Sequence, residues 1–160
     1  MNRTAIMAVV VMTATCGRAQ DGLAMLDALD DPNVNGAMKT AWMQTGGGTT
    51  GMEATFRLDG ALSGYRIVAA PLSNEFWQQK ILIIPGETFA LFHVHPNRAD
   101  PRPSRTDRNI AKKYGLKIYT MHAHGLYEYD PVTAKTTKLR DRLDWLRSPA
   151  QRQIASNISR

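Results

Sequence analysis

The chain has 160 residues, 43% hydrophobic and 21% charged, with a formal net charge of +6. That length supports one sizeable core, so a single domain is expected, and no internal repeat is present. The single cysteine, Cys16, excludes a disulfide framework and a thiolate zinc site.

At the N-terminus, Met1-Asn2-Arg3-Thr4 precedes a short apolar run from Ala5 to Met12, and Gly17-Arg18-Ala19 supplies small residues for cleavage before Gln20. This pattern predicts a secretory signal peptide over residues 1–19. The apolar run is too short to span a bilayer, so no transmembrane segment is expected. The protein is expected to be exported, periplasmic or secreted. A lipoprotein anchor through Cys16 is the second option, although Thr13-Ala14-Thr15 lacks the aliphatic residue a lipobox carries. Removing Arg3 and Arg18 lowers the charge from +6 to +4. The remaining excess crowds the stretch from Arg98 to Lys117 and the C-terminal tail, which reads as a solvated basic face or an attraction for acidic partners. With an export signal and no recognised binding motif, nucleic acid is not an expected partner.

The domain is expected over residues 20–134. A short amphipathic helix is predicted from 20 to 31, ending before Pro32, and a second from Asn35 to Gln44. The glycine-rich run from Thr45 to Gly51 is a flexible loop. Glu53 opens a strand through Leu58, and Asp59-Gly60 reads as its hairpin turn. Further strands are predicted at Gly64–Ala70 and Ile81–Ile84, with Pro85-Gly86 turning the chain into Phe89–His95. That last segment is apolar on both faces, as expected of a central strand covered on both sides. Its alternation puts His93 and His95 on the same face, about 7 Å apart along the chain. Pro96 ends the strand, and the proline-bearing loop to Pro103 leads to Ser104, the start of a helix through Tyr114 that Gly115 stops. On this helix Asp107, Ile110, Ala111 and Tyr114 share one face, so Asp107 turns inward with the apolar residues. A buried carboxylate needs a partner, and a metal ion is a suitable one. Ser104-x-x-Asp107 is equally a capping-box pattern. Beyond it, Lys117–His122 and Leu126–Tyr129 form a hairpin around Ala123-His124-Gly125. His122 and His124 share a strand face and are expected to be exposed or to support the first pair. Residues 135–160 read as a basic C-terminal helical tail, with helical spacing in Leu139, Leu143, Trp145 and Leu146. The fold class is α/β in loose usage (α+β), a mixed sheet with helices on either side.

Two imidazoles and one carboxylate, with a fourth position left to water, are the ligand set of a catalytic zinc. As a whole the motif reads His93-x-His95-Pro96-x7-Ser104-x-x-Asp107. It resembles the signature of the JAMM or MPN+ metalloprotease domain, an upstream Glu followed by H-x-H-P-x7-S-x-x-D. The resemblance implies a JAB/MPN-like core, a cytidine-deaminase-like three-layer arrangement. It further implies Zn²⁺ on His93, His95 and Asp107, Ser104 helping to hold an oxyanion, and the upstream glutamate as general base. Of the four glutamates, Glu87 lies about 20 Å along its strand from the histidines. Glu75 sits in a polar turn, and Glu128 follows the helix. Glu53 stands in the helix, loop, strand order that the family shows, forty residues before His93; its alternative is a surface residue at a strand start. The implied activity is a zinc metallopeptidase or isopeptidase acting on a peptide or protein substrate, isopeptide-linked ones included. The alternative is a non-catalytic or effector-associated domain of the same fold that retains the metal site.

Overall fold

The computed structural model describes residues 8–11, 28–61, 64–73, 75–76 and 79–146. The described elements are β1 (Ala8–Val11), α1 (Pro32–Gln44), β2 (Thr55–Ala61), β3 (Gly64–Ala69), β4 (Lys80–Ile83), β5 (Thr88–Val94), α2 (Arg105–Tyr114), β6 (Lys117–His122), β7 (Gly125–Asp130) and β8 (Lys135–Asp141). A 3-10 turn over Asp144–Leu146 follows. The cleavage site expected before Gln20 lies outside the described residues. Within the apolar run ahead of it, Ala8–Val11 pairs in parallel with β4.

Six strands form one mixed sheet in the order β3-β2-β5-β6-β7-β8. Its parallel pair is β5 with β6; the other neighbours are antiparallel. Parallel neighbours need a crossover, and α2 provides it. Strand β5 is central and buried, as its two apolar faces require. On one side Phe56, Leu58, Ala90, Phe92, Val94, Tyr119 and Met121 pack against Val34, Met38 and Ala41 of α1. Phe56, Phe92 and Tyr119 stack across three strands with centroids 4.6 and 4.5 Å apart. On the other side Leu91 and Ile118 meet Ile110 and Ala111 of α2, with Ile81 and Ile83 of β4. The protein is therefore a mixed α+β fold with a helix on each face of the sheet.

Three expectations need correction. The helix expected from Asn35 begins at Pro32, because Asp31 caps it by accepting the Asn33 amide at 2.6 Å and proline is tolerated in a first turn. Of the preceding helix only residues 28–30 are described. Asp59-Gly60 is not a hairpin tip, since both residues pair with β3, opposite Arg66 and Tyr65. Asp59 is buried, and its carboxylate accepts from Arg57 Nε at 2.9 Å and Thr88 Oγ1 at 2.7 Å, so the strand holds it inside. The third concerns the tail. Lys135–Asp141 is a strand on the outer edge of β7, not a helix, and the 134/135 boundary cuts a hairpin. The open edge of β7 offers backbone partners that outweigh a weak helical spacing. Trp145 and Leu146 then pack back on the α1 side of the core, with Trp145 meeting Trp42 edge-on at 5.1 Å.

Candidate metal centre

The end of β5 delivers the two histidines. Val94 N donates to Ala54 O and His95 N to Met121 O, both at 2.9 Å, so extended backbone continues past the strand. Side-chain alternation then brings His93 Nε2 and His95 Nε2 to 2.9 Å from each other. His95 Nδ1 lies 2.7 Å from the Asp100 carbonyl oxygen. A carbonyl only accepts, so Nδ1 carries the hydrogen and Nε2 presents a lone pair. Holding the tautomer through the outer nitrogen is how ligating imidazoles are oriented. His93 Nδ1 is buried with no partner.

The third member comes from the first turn of α2. Ser104 caps the helix by accepting the Asp107 amide at 3.2 Å, and Asp107 Oδ2 accepts the Ser104 amide at 2.6 Å, a complete capping box. The same oxygen lies 3.5 Å from His93 Nε2 and 3.6 Å from His95 Nε2. Capping and site membership are thus not alternatives, because the cap aims the carboxylate at the imidazoles. Asp107 is 2% exposed. Burial alone would raise its carboxyl pKa, but positive charge on the His93 and His95 rings, when they are protonated, holds it well below the ordinary range.

One ligand atom from each of His93, His95 and Asp107 falls within 4.8 Å of the others. Tetrahedral zinc bonds of 2.0–2.1 Å place donors about 3.3 Å apart. The observed 2.9, 3.5 and 3.6 Å bracket that spacing. Facing ring nitrogens beside a buried carboxylate call for a cation among them, so the donor set fits a first-row metal ion.

Glu53 reaches the same place by strand pairing. Thr55 is opposite His93 in the β2–β5 register, and the Val94-to-Ala54 hydrogen bond carries that register onward, which sets Glu53 opposite His95. Glu53 precedes the strand by two residues and is 1% exposed, so the surface alternative does not hold. Its Oε1 is buried without a hydrogen-bond partner. Burial pushes the carboxyl up from 4.5 to about 7, with His95 opposing the rise and Asp107 adding to it. Glu87 instead pairs with Arg66, and Glu128 is bonded by Tyr119 and Lys117.

The glycine run before Glu53 is tied down rather than loose. Gly47 N donates to Trp42 O at 2.9 Å, and Asn97 clamps the loop with its amide on Gly48 O and its side chain on Gly47 O, at 2.8 and 2.9 Å. Gly48 has φ +76°, and a Cβ there would lie 2.8 Å from Asn97 Oδ1, so only glycine fits the clamp. The ligand loop is fixed from below by Thr120 Oγ1 on Pro101 O at 2.6 Å and by Arg108 on Pro103 O at 2.7 Å. Asp100, Thr120 and Asn97 were not visible as site residues in the sequence. Asp100 acts through its backbone carbonyl, which leaves no residue-type signal, and Thr120 and Asn97 bond to backbone carbonyls of distant segments. His122 is buried and His124 exposed; His122 Nδ1 accepts the His124 amide at 3.0 Å, and neither joins the metal group. Burial, with His124 adding, lowers the His122 pKa.

Compared with protein-family models, with curated proteins and with solved structures, the chain shows no match. Among the described residues no helix is long and apolar enough to cross a membrane.

Proposed function

We propose that this protein is a zinc-dependent metallopeptidase or isopeptidase of the JAMM type, hydrolysing an amide bond in a peptide or protein substrate. The observation that carries the reading is Glu53, a buried carboxyl with an unpartnered oxygen, opposite His95 and beside the ligand group of His93, His95 and Asp107. A structural carboxylate would be paired or solvated; a buried one with an unpartnered oxygen at the site suits proton transfer. The motif order and the crossover that joins its two halves support this reading, and a JAB/MPN-like core is part of the proposal.

His93, His95 and Asp107 would hold the ion. Zinc, when bound, lowers the pKa of its water towards about 7 and polarises a carbonyl. Glu53 takes a proton from the attacking water and passes it to the leaving amine. Ser104 Oγ already accepts the Asp107 amide, which leaves its hydroxyl hydrogen free to donate to the developing oxyanion.

The test joins metal analysis of the purified protein to identification of cleavage products by mass spectrometry, comparing wild type with Glu53→Gln. Stoichiometric zinc in both proteins and products from wild type alone are expected. Absence of zinc, with a chelator altering neither stability nor hydrolysis, overturns the proposal.

A further inference from the structure

A groove of about 410 Å³ lies beside the metal centre. One wall is Gly48–Gly51, which ends two residues before Glu53; Pro96 and Arg98, immediately after His95, line it too, with Phe76. Both walls are therefore covalent continuations of the segments that supply the base and a metal ligand. The clamp between Asn97 and Gly47–Gly48 fixes the walls relative to each other.

Among the described residues the groove's lining contains no carboxylate. Arg98 is exposed and forms no ion pair among the described residues, whereas Arg102, four positions on, is held by Asp100 at 2.6 Å. Phe76 is 65% exposed, yet its ring is seated on the backbone of Gly51, where a Cβ would lie 3.0 Å from Cδ1. An exposed aromatic face and an unpaired guanidinium in one concave surface match an apolar side chain beside a carboxylate.

We propose that this groove is the substrate subsite flanking the scissile amide, and that it selects a peptide segment carrying an acidic side chain next to an apolar one. The acidic group pairs with Arg98 and the apolar one covers Phe76. This inference rests on the metallopeptidase reading for its place in a reaction, but the binding preference is measurable without turnover.

The experiment uses the full zinc-loaded chain carrying Glu53→Gln. Its probes are fluorescein-labelled hexapeptide pools with Glu, Gln or Lys at a central position and Ala, Leu or Phe beside it. Anisotropy at low salt is expected to show the Glu–Leu and Glu–Phe pools binding about tenfold tighter than their Gln counterparts. Arg98→Ala should abolish that ratio and Arg98→Glu should shift the preference to Lys. Phe76→Ala should weaken the Leu and Phe pools but not the Ala pools. Lys112→Ala, on the exposed face of α2, should change nothing, which separates the groove from the general basic charge. Equal binding of Glu and Gln pools, no binding of any pool, or a preference that survives Arg98→Ala overturns the inference. Wild-type cleavage of peptides without an Arg98-dependent preference leaves the metallopeptidase reading standing and sinks the groove. Arg98-dependent binding without cleavage by wild type does the reverse.

Discussion

Glu53 is a carboxyl that folding drives towards its neutral form. Its pKa rises from 4.5 to about 7, so the folded chain binds more protons than the unfolded one between those values. Its contribution to stability is complete below about pH 4.5 and is lost as pH climbs through about 7. The gap corresponds to about 3 kcal/mol. In metal-free protein, Glu53→Gln is therefore expected to raise stability by up to about 3 kcal/mol at pH 8 and by little at pH 4, read from urea unfolding at each pH. An equal effect at both pH values would mean that the carboxyl is not titrating in a buried site.

At the level of elements, α2 combines two tasks in its first turn. Asp107→Asn retains an oxygen that can accept the Ser104 amide but removes the anionic ligand. It is expected to melt close to wild type without metal while losing zinc affinity by at least about a hundredfold in a competition titration. Ser104→Ala should cost about 1 kcal/mol through the lost cap and lower kcat by about 10²-fold or more, with zinc content unchanged. A pure cap would show the stability loss with kcat intact. The β7–β8 hairpin makes its own prediction. Trp145, 1% exposed, closes the core after β8, so Trp145→Ala should destabilise by about 3 kcal/mol or more in denaturant unfolding. A mobile tail would tolerate that change.

For the whole molecule, the candidate site joins the end of β5 to the start of α2, and Glu53 approaches from the β2 side. A cation among these parts couples the sheet to its crossover helix. Zinc at about a hundred times its Kd should add about 2.7 kcal/mol, or roughly 5–10 °C in melting temperature, and a chelator should reverse it. An unchanged melt would argue against a metal held by the folded state.

The local parts of the site follow from residue order and backbone period alone. The two-residue period of a strand puts His93 and His95 on one face, and the 3.6-residue period of a helix turns Asp107 inward with Ile110 and Ala111, because both spacings follow from covalent and backbone geometry. The cap at Ser104 and the stop at Gly115 were legible for the same reason. Contacts between distant segments settle the rest, and these exist only in the folded chain. The β2–β5 register places Glu53 opposite His95, and the Asp100 carbonyl selects the His95 tautomer. The open edge of β7 draws Lys135–Asp141 into the sheet, against the tail's helical spacing. A partner across the sheet, or a carbonyl that every residue owns, leaves no mark in the order of side chains.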